Sequence, residues 1–346
     1  MPSTWTPSQQ GEFPHTIQPV SPELNDQLKG DFSGERSGFV RVGRDGWLLP
    51  ERYEQQALGY YTLPLRPDDV WIQTFPRSGT TWCQEMVWLI NNDYDYQTAK
   101  SIPLDTRFPF LEFGMLHHPQ LHEEVLAQNN FRTEVAEVLK RWRTPGAELA
   151  EPLPSPRHFK THLPLPLLPP SLLDTCKVIY VARNPLDVAV SYFHHNRYLA
   201  VHGYNGDFEK YWRYFQIDLL VYSPYWEHVK QAWAVRKHPN FLFLFYEDLL
   251  KNLPKNIRII SDFLGKTVNE EQLSKLTNHL QIDNFRNNVP LYPDVEITGL
   301  TREEEQGFIR KGKLKGNKEF TEELEAEANK WMKENLAGTD LRFPTK

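Results

Sequence analysis

Val70-Trp71-Ile72 runs directly into Thr74-Phe-Pro-Arg-Ser-Gly-Thr-Thr-Trp82, and this stretch constrains the chain more than any other. The apolar run has strand character. Beyond the turn, Trp82, Met86, Leu89 and Ile90 fall at i, i+4, i+7 and i+8, which is one apolar helix face. A strand, a tight turn and a helix start present backbone N–H groups to an anion. Arg77 adds a permanent positive charge, Gly79 sits in the turn, and Ser78, Thr80 and Thr81 add hydroxyls. The spacing predicts a phosphate-gripping loop, although the Gly-x-x-x-x-Gly-Lys-Ser/Thr pattern is absent.

The 346 residues suffice for a sizeable core, and 40% hydrophobic with 24% charged residues is a soluble globular balance. A formal charge of −6 provides no basic field for nucleic acid, so any anion site must be built locally. Cys83 and Cys176 have no metal-like spacing and fit a reducing compartment. The polar N-terminus lacks a signal-like apolar region, and no apolar run approaches the ~20 residues of a membrane span. The expectation is a cytoplasmic protein without a membrane span.

Strand candidates at Val70–Phe75, His158–His162, Val178–Ala182 and Phe241–Tyr246, the middle ones read as continuous rather than alternating runs, recur in alternation with helical segments at 79–92, 185–199, 254–264 and 269–280. That alternation predicts an α/β fold, a single domain with a central parallel sheet flanked by helices. A final helix starts at Thr321, presents Leu324, Ala328 and Trp331 on one face, and ends at Gly338. Residues 1–35 read as irregular, ahead of the domain at 36–346. Residues 117–157 read as an insertion, with one polar helix from His122 to Arg143 and a Pro-rich stretch, of the length that often forms a lid.

Three further segments carry chemistry. In Tyr180-Val-Ala-Arg183-Asn184-Pro185, Asn184 suits an N-cap and Pro185 the first helical position. Arg183 then stands at the carboxyl end of a strand, with Ser191 two turns into the helix. The run Phe308-Ile-Arg310-Lys311-Gly312-Lys313 concentrates positive charge in an acidic chain, and its glycines allow close backbone approach to an anion. In Phe159-Lys160-Thr161-His162-Leu163-Pro164, strand alternation puts Lys160 and His162 on one face, a pairing suited to a base beside an electrostatic helper. The adjacent pairs His117-His118 and His194-His195 lack ligand spacing and read as structural or surface residues.

These four stretches, in this order, together with Tyr246-Glu247-Asp248, resemble the cytosolic sulfotransferase family over roughly residues 60–345. Arg77 and the expanded 117–157 region are most similar to the insect branch that includes retinol dehydratase. The resemblance implies an enzyme using 3′-phosphoadenylyl sulfate (PAPS) as sulfuryl donor, leaving PAP, with no metal. Carried over by position, Arg77, Ser78, Gly79, Thr80, Thr81 and Trp82 would hold the phosphosulfate. Arg183, Ser191, Phe308, Arg310, Lys311 and Gly312 would serve the 3′-phosphate side, and Tyr246, Leu280, Gln281, Ile282 and Phe285 the adenine. His162 would be the base, assisted by Lys160 and Arg77. Lys160, Thr161, His162, Phe110 and Phe113 would meet a small hydrophobic hydroxylated substrate: a phenol, sterol or retinoid-like alcohol. Phe108, Tyr192 and Phe193 are further aromatic candidates for that pocket.

Two departures stand out. The family's loop usually carries lysine where this chain has Arg77, and its dimer motif is not matched near Lys318–Glu325, which weakens the expectation of a homodimer. The alternatives are sulfation followed by elimination, as a conjugated allylic alcohol would allow, and a binding protein without turnover.

Overall fold

The computed structural model describes residues 12–302 and 319–344. Among them the strands are β1 (Ile17–Pro19), β2 (Phe39–Val42), β3 (Trp47–Pro50), β4 (Val70–Gln73), β5 (His158–Thr161), β6 (Lys177–Ala182) and β7 (Phe241–Phe245). The last four form a parallel sheet in the order β5-β4-β6-β7. The apolar runs of β4, β6 and β7 are continuous because both faces of the sheet are covered. Val70, Ile72, Ile179 and Val181 enter one core with Cys83, Met86 and Val87 of the helix Thr80–Asn91. Trp71, Val178, Tyr180 and Ala182 enter a second core with Val188, Tyr225 and Val229. Successive residues of one strand thus serve opposite layers.

The strand order positions the site. The chain leaves β4 for β5 on one side and then crosses to β6 on the other. The carboxyl ends of β4 and β6 therefore diverge into a crevice, where open α/β sheets take their ligands. The turn Thr74–Gly79 rises from β4, and Arg183-Asn184-Pro185 rises from β6 beside it. Asn184 Oδ1 accepts from the Leu186 amide at 3.0 Å, and Pro185 opens the helix Pro185–Tyr198. At the far end of the chain, Thr321 caps the helix Glu322–Leu336, and Trp331 packs 5.3 Å from Trp212.

Three expectations are corrected. From residue 12 onward the N-terminal segment is not irregular: β1 and the Ser21-capped helix Pro22–Asp31 are ordered elements, and β1, β2 and β3 form an antiparallel sheet. Strands of three and four residues and a helix with only Leu28 buried are too brief to show a period. The polar helix expected over 122–143 is two helices, Pro119–Gln128 and Thr133–Arg143. They are broken where Asn130 and Phe131 both take positive φ, and Asn129 binds the Thr298 backbone on both sides of its amide. The last parallel strand ends at Phe245, and Tyr246 opens a short helix with Glu247 and Asp248 in its first turn.

Candidate active site

A cavity of about 1330 Å³ opens at the carboxyl edge of the sheet. Its floor is the β4 turn. Gly79 takes φ +104°, and a Cβ there would lie 2.6 Å from the Tyr246 ring, so no other residue fits without displacing that ring. Gly79 is the N-cap of Thr80–Asn91 and provides no side-chain cap, so the first-turn amides stay open to a ligand. Arg77 and Arg183 converge here. Arg77 donates from Nε to Ser191 Oγ at 3.2 Å, and Arg183 donates to the Arg77 carbonyl at 2.9 Å while lying 4.6 Å from the Tyr246 ring centre. Among the described residues, the buried Ser78 Oγ and Arg183 Nε have no hydrogen-bond partner. Buried donors without partners, two guanidinium groups and a helix N-terminus are what a polyanion requires.

A flat slot adjoins the cradle. The Trp82 indole N–H donates to the Leu280 carbonyl at 2.9 Å, and its ring stands 6.2 Å from Tyr246 at 69°. Leu280, Gln281, Ile282 and Phe285 complete this wall.

The other half of the cavity is built on the end of β5. His162 Nδ1 lies 2.8 Å from the Thr74 carbonyl oxygen. A carbonyl can only accept, so the proton sits on Nδ1 and the lone pair on Nε2. The ring is held from behind as well. The His162 amide donates to Glu112 at 2.6 Å, and its carbonyl accepts from His228 Nε2 at 2.9 Å. Burial first, then the Lys160 cation, holds His162 well below its ordinary pKa, so it is neutral near pH 7. The Lys160 ammonium sits 4.1 Å from the Phe110 ring centre, and burial pushes it down to about 8. Thr74 Oγ1 joins the two halves, 3.1 Å from His162 Nδ1 and 2.7 Å from Thr80 Oγ1.

The structure brings most of the expected residues to one wall: Arg77, Gly79, Thr80, Thr81, Trp82, Phe108, Phe110, Phe113, Lys160, His162, Arg183, Ser191, Tyr192 and Tyr246, with the 280–285 group. Thr161 is corrected. It points to the opposite face of β5 from Lys160 and His162, and its hydroxyl donates to Glu112 at 2.8 Å, away from the cavity. Phe193 is likewise core, between Tyr204, Phe208 and Tyr211. Ser78 is buried beneath the turn and does not form the cavity wall. Phe308, Arg310, Lys311 and Gly312 lie outside the described residues.

Two residues escaped the sequence reading. His195, taken as structural or surface, lines the cavity and approaches Arg77 Nη1 through Nδ1 at 3.4 Å. Its position four residues after Ser191, on the same helix face, was the available signal. Glu112 clamps the 109–113 segment to the end of β5, and burial pushes its carboxyl up to about 7. A lone acid within the apolar run from Phe108 to Phe113 marks it. Among the described residues, no three His, Cys, Asp or Glu side chains group as metal ligands, and no helix is long and apolar enough to cross a membrane.

A sequence-family model described as "Sulfotransferase domain" matches residues 67–340. Luciferin sulfotransferase of Photinus pyralis is 33% identical over 315 residues, covering 88% of this chain and 81% of that protein. Sulfotransferase 1B1 of Mus musculus is 33% identical over 286 residues, covering 81% and 86%. A crystal structure of retinol dehydratase with androsterone and the inactive cofactor PAP superposes with a TM-score of 0.83 at 38% identity, covering 96% of this chain and 98% of that one.

Proposed function

The chain belongs to the sulfotransferase family, and from that premise we propose that this cavity moves a sulfuryl group from PAPS to the hydroxyl of a small apolar acceptor, with His162 as general base. The observation that carries the reading is the tautomer of His162. With Nδ1–H spent on the Thr74 carbonyl, Nε2 is an acceptor on a cavity wall, joined through Thr74 to the anion cradle. PAPS, when bound, supplies the activated sulfuryl group and a phosphate leaving group.

The unpartnered Arg183 Nε and the space kept by Gly79 support a fit to its charged end. Arg77, Gly79, Thr80, Thr81 and Trp82 would hold the phosphosulfate, and Arg183 with Ser191 the 3′-phosphate. By resemblance, Phe308, Arg310, Lys311 and Gly312 complete that second site. Trp82, Tyr246, Leu280, Gln281, Ile282 and Phe285 would hold the adenine in the flat slot. His162 takes the acceptor proton at Nε2. Lys160 and Arg77 place positive charge beside the transfer, and Arg77, an arginine, keeps its proton throughout. Phe110 and Phe113 stack at 5.3 Å and offer an apolar seat for the acceptor. The helices Pro119–Gln128 and Thr133–Arg143 pack on residues 295–300 and contribute Arg141 and Trp142 to the cavity wall, a lid over the acceptor.

The pH profile tests this reading. The base works in its neutral form, and the folded pKa of His162 is depressed, so the acid limb of kcat should lie below pH 6.5. Lys160 loses its charge as pH rises through about 8, which should set the alkaline limb. Activity at pH 6 within about twofold of that at pH 7.5 is expected; a tenfold loss over that interval, in protein that circular dichroism shows still folded, contradicts a depressed histidine base.

A second reading is favoured by the 38% identity to retinol dehydratase. With a conjugated allylic alcohol, the sulfate ester formed would lose sulfate through C–O cleavage and a proton from carbon, giving net dehydration. The two outcomes differ in whether the labelled sulfate stays on the organic product.

A further inference from the structure

The acceptor side of the cavity ends in charge. Rings lead away from His162 in three steps: 5.1 Å to Phe110, 5.3 Å on to Phe113, and 5.9 Å on to Trp142. The Trp142 indole N–H then donates to Asp105 Oδ2 at 3.2 Å, and Arg141 NH2 donates to the Asp105 backbone carbonyl at 3.2 Å. Asp105, Arg141 and Trp142 all line the cavity. The Asp105 carboxylate already receives the indole N–H and the Thr106 hydroxyl. Arg141 is different: its charge faces the Asp105 carboxylate, but its guanidinium carries five N–H donors, and its hydrogen bond among the described residues is the single one to the Asp105 backbone carbonyl. An acceptor ending in a methyl group would strip water from those donors and return nothing.

We propose that Arg141 reads an oxygen at the far end of the acceptor, so that favoured substrates are elongated alcohols with the reacting hydroxyl at one end and a ketone or carboxylate at the other. This rests on the sulfuryl-transfer reading of the same cavity. The aromatic steps hold the apolar middle of such a molecule, and the charge-assisted hydrogen bond at its end adds about tenfold or more to affinity.

The experiment compares three chain-matched acceptors with PAPS: dodecanol, the ω-hydroxy methyl ketone of equal length, and ω-hydroxydodecanoate. In the wild type, KM for the ketone or the carboxylate should be about tenfold or more below that for dodecanol. Which of the two falls further tells a neutral from an anionic terminus. In Arg141→Met, the three KM values should converge to within about twofold, with Arg141→Gln as a second variant should the first fold poorly. Equal KM values in the wild type, or a preference that survives in both variants, would overturn the proposal while leaving sulfuryl transfer intact. Failure of the wild type to sulfate any of the three, while a phenol or retinol is still turned over with PAPS, would also overturn the proposal; failure with those acceptors as well would instead remove the functional reading on which it rests.

Discussion

Replacing His162 with alanine is expected to lower kcat by about 10²–10⁴-fold while PAP still binds within about threefold of the wild type. The separation follows from where the ring sits. Its Nδ1–H is used up on the Thr74 carbonyl, which leaves Nε2 as the acceptor of a ring that lines the cavity, whereas the anion cradle is made by the Thr74–Gly79 turn, Arg77 and Arg183. The peptide at 162 is held by Glu112 and His228 through backbone atoms that alanine retains. The variant should therefore keep its loop geometry and lose its base. A kcat within about tenfold of the wild type would remove the base assignment, and equal losses in kcat and PAP affinity would show that the ring holds the loop rather than the proton.

Acid should unfold this protein unusually early. His117, His162 and His195 are held well below their ordinary pKa, mainly by burial. Burial also takes His122, His202 and His228 down to about 4 and His158 down to about 3. Each folded pKa lies below the unfolded value near 6.5. The stability contribution is therefore complete above pH 6.5 and is lost as pH falls toward the folded values, because only the unfolded chain takes up the protons. Each such histidine costs about 1–2 kcal/mol between pH 7 and pH 5. Glu112, raised to about 7, and Asp218, raised to about 6, act in the opposite sense, since the folded state takes up their protons first. Asp105 and Glu247, also raised by burial, act with them, but the histidines are more numerous, so the balance is a loss on the order of several kcal/mol against the roughly 5–15 kcal/mol of a typical domain. Urea melts at pH 7, 6 and 5.5 should show the midpoint falling steeply below pH 6.5. A midpoint that is flat to pH 5 would mean that these rings are protonated in the folded state.

Much of the site was legible because its parts are local. The turn after Val70-Trp71-Ile72 and the cap at Asn184-Pro185 each announce a strand end and a helix start within a few residues, and the sheet order carries both to one crevice. Period-two alternation placed Lys160 and His162 together on the cavity side. The same alternation puts Thr161 on the opposite side, and carrying it over by motif obscured that. The residues missed are those whose role depends on distant partners. Glu112 matters because β5 ends beside it, though Thr161 lies 49 positions further along the chain. His195 matters because Arg77, 118 residues earlier, reaches across the crevice to it. The N-terminal sheet was illegible for another reason: its strands span three and four residues, and β3 is buried throughout, so no alternation marks it.

Isotope-labelled PAPS offered to the protein with a panel of phenols, sterols and retinoid alcohols, retinol included, tests the central claim most directly. A labelled sulfate ester with at least one apolar alcohol, or free labelled sulfate together with an anhydro product from retinol, is the predicted result. No labelled ester and no anhydro product with any acceptor, from folded protein that binds PAP, would contradict it.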